Sequence, residues 1–387
     1  MSRSIDPAKE ARAIYDVLSS PWHLENQYPQ LSFLYRGIEL PLFEPTVAMM
    51  ELGVQVDCQV VERLREEANQ QVMLSQLAPG SSAPCYNVPE GQRQLHHNQA
   101  VVAHAQALLR NIDQAGRVHP SLDSLGADTG RFSCDSPPLQ GLSRELRPGI
   151  IATPGYQFVV ADWKQIELQV LGFLSQDPVL LAALDSDIDM HNHTAAWVHG
   201  VAVREVTDTQ RRIGKALNFA IIYGKTRYGL AADLQVSTAE AELLLQAYFA
   251  RFPTLYNWLA KTREFAAHHG YVTTYHGRHR RLPDIRSSDH RAMAKAQRQA
   301  VNTTVQGTAA DLHKLSLIRV FHEHARKCRL VLPLHDGVLV EAPIERVHEC
   351  AATLKILLEA PLPGFPRRLP VAVQAGHSWG SMRPICV

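Results

Sequence analysis

Apolar residues recur at helical spacing from Asp6 to about Leu77, through YDVLSS, LSFLYRGIELPLFEPTVAMMELGV and VERLREEANQQV, with interruptions at Pro21, Pro29, Pro41 and Pro45. This pattern predicts a helical lead-in. Residues 77–92, LAPGSSAPCYNVPEGQ, are rich in Pro, Gly and Ser and break the periodicity before QAVVAHAQALLRNIDQ resumes it, as a hinge or shortened module would. YQFVVADW (156–163) is a compact apolar strand that places Asp162 at its end, and QIELQVLGFLS after it is helical. RLVLPLHDGVLVEAP (329–343) predicts two strands around a tight His335-Asp336-Gly337 turn, with Gly337 expected to take a backbone conformation other residues resist. The stretch 188–325 between the two carboxylates is mostly helical, an insertion between two halves of one sheet.

Composition narrows the classes. A chain of 387 residues with 45% hydrophobic and 20% charged side chains has room for two or three substructures and is not of the disordered type. Lys and Arg number 39 against 38 Asp and Glu, so any nucleic-acid surface must be local. The cysteines Cys58, Cys85, Cys134, Cys328, Cys350 and Cys386 include no CxxC pair, which argues against a zinc ribbon or disulfide framework and favours a reducing cytoplasm. No apolar run approaches the ~18 residues of a membrane helix, and MSRSIDPAKEAR lacks the apolar core of a signal peptide. A cytoplasmic protein without a membrane partner is expected.

The candidate chemistry lies in a ladder, Arg211, Lys215, Phe219 and Tyr223, between segments carrying Asp162 and Asp336. Spaced four apart on a helix, the rungs drift about 40° per step and share one face, with two cations suited to a triphosphate and two rings suited to a base. Arg211 and Lys215 near a helix N-terminus oppose its dipole, a penalty that a bound polyanion reverses. An ordinary amphipathic helix accounts for the same spacing. Asp162 and Asp336 on adjacent strands would repel unless neutralised, and two divalent cations with oxygen ligands, Mg²⁺ foremost, would do so. Each aspartate taken alone reads as a surface turn residue, and only the pair with its surroundings points to metal binding.

In order, IELPLFEPTVAMMELGVQVD, DTGRFSCDSPPLQ, DWKQIELQVLGFLS, DMHNHTAA, RRIGKALNFAIIYG, AQRQAVNTTVQGTAADL and LPLHDGVLVEAP resemble the polymerase region of family A DNA polymerases, the bacterial DNA polymerase I group, from about Glu10 to Trp379. The resemblance implies an α+β right-hand polymerase fold with an antiparallel palm sheet, helical fingers and a reduced helical thumb. It divides the chain into a lead-in at 1–60, thumb at 61–118, palm at 119–187 and 298–387, and fingers at 188–297. It implies template-directed addition of dNTPs to a primer 3′-hydroxyl by two-metal phosphoryl transfer, with Mg²⁺ as cofactor and Mn²⁺ as a substitute. Asp162, Asp336 and the carbonyl of Trp163 would hold the ions. Arg211, His191 and the catalytic Lys215 would meet the triphosphate, Phe219 the sugar, and Tyr223 the base pair. Glu167 looks like the steric gate against a ribose 2′-hydroxyl, with Gln165 also in the dNTP set. Arg131 and Gln306 would read minor-groove acceptors present on every base pair, with Arg298, Asn302 and His335 on the primer–template DNA.

Three departures shape the expectation. Gly337 stands where the family usually has Glu, Ala220 where it usually has Gly, and only about 40 residues separate VERLREEANQQV from RVHPSLDSLGADTGR, with the SPKQL-type segment reduced to NVPEGQRQL. A short thumb predicts a distributive enzyme suited to replication or repair gap filling, with a processivity factor or separate nuclease as partner. The first residues look like the last helix of a preceding module, which implies neither a 5′ nuclease nor a proofreading domain. A non-catalytic primer–template binding protein and a single-subunit RNA polymerase are the competing readings; Glu167 argues against the second.

Overall fold

The computed structural model describes residues 29–77, 90–186, 189–324 and 327–387. The expectations for 1–28 and for most of the 77–92 break lie outside the described residues. In chain order, the helices that carry the argument are Cys58–Leu77 (α1), Glu90–Arg110 (α2), Ile166–Ser175 (α3), Met190–His199 (α4), Asp208–Ile222 (α5), Thr238–Arg251 (α6), Pro253–His269 (α7), His290–His324 (α8) and Val347–Glu359 (α9). The strands of the main sheet are Tyr156–Trp163 (β1), Arg329–Pro333 (β2), Gly337–Pro343 (β3), Val371–Gly376 (β4) and Arg383–Pro384 (β5). The chain divides into two compact units: Met1–Pro41 with Val170–Asp311, and Leu42–Gln169 with Leu312–Val387.

In the second unit the sheet runs β5-β4-β1-β3-β2 with every pair antiparallel, so the strand predicted at 156–163 is central and its partners come from the far end of the sequence. Phe158, Val159 and Ala161 are buried without a break, as a strand covered on both faces requires. α9 covers the sheet through Val347, Cys350, Ala351, Leu354, Leu357 and Leu358, an apolar stripe at helical spacing. The Trp163 indole Nε1–H donates to the Leu358 carbonyl at 3.2 Å and ties that helix to β1.

Gly337 is required for a different reason from the one expected. It is not among the residues with positive φ; instead, a Cβ at 337 would lie 2.3 Å from the Ala161 carbonyl oxygen and 2.8 Å from the Asp162 Cα. The glycine permits close approach of β3 to β1 rather than a left-handed turn.

α1 and α2 pack against one another in the same unit, with Val101, Ala105 and Leu108 forming the buried stripe of α2. Val54–Val56 pairs with Arg117–Val118 on one side and Ile150–Ile151 on the other, a small sheet the periodicity did not announce. The boundary expected at 60/61 therefore falls inside α1, and that at 297/298 falls inside α8.

The first unit is mainly helical, as expected, but it also holds a hairpin, Tyr271–Thr273 with His279–Arg281. Its polar strands hide it from a hydrophobic pattern, and Gly277, at φ +91°, makes its turn. Asp177 is fully buried: its Oδ1 accepts the Val179 and Leu180 amides at the start of a helix, and its Oδ2 accepts the Leu255 amide at 3.0 Å. α5 opens with a capping box of Thr207 and Gln210 and ends at Ile222, so Tyr223 occupies its C-cap rather than a fourth helical turn. Among the described residues no helix is long and apolar enough to cross a membrane.

Candidate active site

Antiparallel register brings the two aspartates together. Gly337 pairs with Asp162, and the Trp163 amide donates to the Asp336 carbonyl at 2.7 Å, so the end of β1 is fastened to the β2–β3 turn. Asp162, His335 and Asp336 line a cavity of about 400 Å³ with Gln140, Arg144, Arg147 and Trp379. Burial and the neighbouring Asp336 charge push the Asp162 carboxyl up to about 7, although the residue keeps contact with solvent. One oxygen of Asp336, Oδ1, is buried without a hydrogen bond, and the nearest cation, Arg131 Nη2, stands 3.8 Å away. Two like-charged carboxylates in one cavity, one with an orphaned oxygen, fit a hard divalent cation such as Mg²⁺. Trp163, whose carbonyl belongs to the expected ligand set, is held by β1 and by the edge of the buried His313 ring, with centroids 5.5 Å apart.

Arg131, expected on the minor groove, forms an ion pair with Glu167, the expected steric gate, while its guanidinium also reaches toward Asp336. Glu167 is buried in the first turn of α3. Gln165, just before that helix, adopts φ +57°, a left-handed conformation uncommon for a residue with a side chain. Sequence reasoning missed several cavity residues. Gln140 donates to the Pro333 carbonyl at 2.8 Å, and Arg147 lies over the Trp379 ring at 4.4 Å. Gln140 stood in the recognised DSPPLQ segment, whereas Arg144 and Arg147 lie in SRELRPG, which carried no signal.

In the first unit, Gly214 lets α5 approach α4 closely: a Cβ there would meet the His191 carbonyl at 2.3 Å. The approach gathers the expected triphosphate residues. Arg211 Nε donates to Asp189 Oδ2 at 2.8 Å, so the first rung of the ladder is paired with the N-cap residue of α4. Burial holds His191 down to about 4, and the Asn218 Nδ2 amide donates to its Nδ1 at 3.1 Å. His191 is therefore neutral at pH 7 with its proton on Nε2, available as a hydrogen-bond donor. Asn218 is itself fixed by the Thr194 and Tyr248 hydroxyls, each 3.1 Å from its Oδ1. Lys215 Nζ lies 5.7 Å from the Phe219 ring centre, and Phe219 stacks on Tyr223 at 5.8 Å with planes 15° apart.

Gln306, Arg298 and Asn302 stand on α8 within the same unit. Gln306 is buried, and Gly224, just after Tyr223, packs its backbone against Arg298.

A family model described as DNA polymerase family A matches residues 53–381 of this chain, and the chain belongs to that family. It is 33% identical to DNA polymerase I of Chloroflexus aurantiacus, covering 93% of this chain and 44% of that protein. With DNA polymerase I of Caldicellulosiruptor bescii it is 31% identical over 95% of this chain and 42% of the relative. The chain thus spans less than half the length of these relatives. Among solved structures it matches the POL domain of Pol1 from M. smegmatis in complex with DNA primer-template and dNTP, with a TM-score of 0.83 and 26% identity, over 90% of this chain and 71% of that one. The fold is accordingly the α+β right-hand polymerase fold with an antiparallel sheet, and family A DNA polymerases work with divalent metal ions.

Proposed function

We propose that this chain is a template-directed DNA polymerase that adds dNTPs to a primer 3′-hydroxyl. The observation that carries the reading is the register of β1 and β3, which puts Asp162 and Asp336 at one cavity. The M. smegmatis relative, captured with primer-template DNA and dNTP, supports the same substrates here.

Asp162, Asp336 and the Trp163 carbonyl would hold two Mg²⁺ ions, which when bound lower the pKa of the attacking hydroxyl and offset charge on the triphosphate. The protein's own residues do the rest. Lys215 and Arg211 supply positive charge to the phosphates, and Arg211 exchanges Asp189 for them. Neutral His191 donates its Nε2–H to a phosphate oxygen. Phe219 packs against the sugar, while Tyr223, at the helix C-cap, is positioned to follow the nascent base pair. Glu167, buried and braced by Arg131, fills the space a 2′-hydroxyl would need, and Gln165 stands at the turn before it. Arg131, Gln306, Arg298, Asn302 and His335 contact the primer–template. Addition is distributive, because only about 40 residues separate VERLREEANQQV from RVHPSLDSLGADTGR, fewer than the family usually carries to grip duplex.

Primer extension on a DNA template with Mg²⁺ and dNTPs, comparing parent with Asp162→Ala, tests the proposal. Metal-dependent extension lost in the variant is expected. A folded parent inactive with both Mg²⁺ and Mn²⁺ would favour the non-catalytic binding protein instead, a reading that Gly337 in place of a carboxylate keeps in play.

A further inference from the structure

A second cluster lies in the second unit, formed by residues the polymerase reading does not use. His324 ends α8, Cys328 lies just before β2, and Cys350 sits in the first turns of α9. Their ligand atoms all fall within 4.8 Å of one another, and the three residues are only 1%, 5% and 0% exposed. Both ring nitrogens of His324 are buried and lack a partner at normal hydrogen-bond geometry, and the group its imidazole interacts with is the Cys350 thiol. Both cysteines are free thiols. A buried cysteine alone behaves as a small apolar side chain. A buried imidazole with two unsatisfied nitrogens is different, because such polar groups are nearly always paired, and here its neighbours are two sulfurs.

The donor set selects the ligand. Thiolate and imidazole suit a borderline cation of the Zn²⁺ class and disfavour Mg²⁺, which requires oxygen. Tetrahedral Zn²⁺, with Zn–S near 2.3 Å and Zn–N near 2.0 Å, sets its ligand atoms roughly 3.5–3.8 Å apart, within the observed span. Cys328 also lines an apolar cavity of about 220 Å³ with Ala48, Leu52, Val320 and Phe321.

We propose that His324, Cys328 and Cys350 form a Zn²⁺-class site, separate from the Mg²⁺ carboxylates, that clips the end of α8, the entry to β2 and the start of α9 together. The site is three-coordinate from protein and its role is structural. Binding displaces the two thiol protons to solvent and leaves the imidazole neutral, with no change in oxidation state. The site does not depend on the polymerase reading, since its assay needs neither DNA nor dNTP.

The test uses the full chain, reduced and stripped of metal, then given ZnCl₂ alone and desalted into Mg²⁺ buffer before elemental analysis. One zinc per chain is expected to remain in the parent and in a Cys58→Ser control, and to fall at least tenfold in Cys328→Ser and Cys350→Ser, with weaker retention in His324→Ala. Should the variants fail to fold, alkylation of the parent under partial unfolding in urea, with and without zinc, decides: zinc is expected to protect Cys328 and Cys350 and to leave exposed Cys58 and Cys386 reactive. No zinc retained by folded, reduced parent, equal retention in the cysteine variants, or unprotected Cys328 and Cys350 would overturn the site. So would a Cys328–Cys350 disulfide that forms in the presence of zinc.

Discussion

Restoring the family's usual glutamate at position 337 offers an obvious repair of the site, and the structure predicts that it harms the protein. A Cβ at Gly337 would stand 2.3 Å from the Ala161 carbonyl oxygen, and the next obstacle is the Asp162 Cα at 2.8 Å, both backbone atoms of β1. Reaching even 3.0 Å from that oxygen requires β3 to retreat by roughly 0.7 Å, because neither obstacle is a flexible side chain. Overpacking of this kind costs about 1–3 kcal/mol. The strand that moves carries the Gly337–Asp162 pairing and adjoins the Trp163 amide bond to Asp336, so both carboxylates shift. Misplacing reacting groups by about 1 Å lowers rates by about 10²-fold. Gly337→Glu and Gly337→Ala are therefore both expected to lose about 1–3 kcal/mol in urea denaturation and about 10- to 100-fold in single-turnover dNTP incorporation across a Mg²⁺ series. The alanine variant separates space from charge. A glutamate variant as stable as the parent and at least as fast would refute the reasoning.

Three further outcomes follow from the same geometry. The Asp162 carboxyl, raised to about 7 from an ordinary 3.8, keeps the metal-free fold protonated where the unfolded chain is ionised, so its stabilising contribution is lost as pH rises through about 7. Asp162→Asn should flatten that slope in denaturation at several pH values, and the parent's half-saturating Mg²⁺ should rise as pH falls below 7, by at most about tenfold per unit; identical slopes for parent and variant would sink this. Asp177→Ala removes a buried cap and strands the Leu255 amide, for a loss of about 2–4 kcal/mol by urea titration, and a loss below about 1 kcal/mol would be inconsistent with it. Glu167→Ala opens the space beside the sugar and should reduce discrimination against rNTPs by roughly tenfold or more in competition kinetics, whereas unchanged discrimination would remove Glu167 from that role.

The sheet core was legible because local signals and topology agree there: an unbroken apolar run before Asp162, and two apolar strands around His335-Asp336-Gly337. The helical ladder was legible up to its last rung. Tyr223 falls at the helix C-cap because Gly224 takes a left-handed conformation directly after it. The pairing of Arg211 with Asp189 and of Arg131 with Glu167 could not be read either, since each joins residues 22 or 36 positions apart through side-chain geometry alone. The Cys328–Cys350 pair escaped for a similar reason. Its members are 22 residues apart in sequence, and only the placement of the start of α9 against the residues just before β2 makes them neighbours of His324.

The order β5-β4-β1-β3-β2 has a consequence for the protein during synthesis. β1 is translated early, yet both strands that flank it lie beyond residue 336, and its β4 partner ends only at Gly376. A ribosome that has made the ladder helix has still made no neighbour for the strand bearing Asp162, whose apolar edges must wait through more than 150 residues of further elongation. Premature termination after the ladder helix but before β3 would release a chain with that helix intact and no paired aspartates. Nascent-chain aggregation at the exposed edges of β1, rather than partial activity, is the failure to expect from such products.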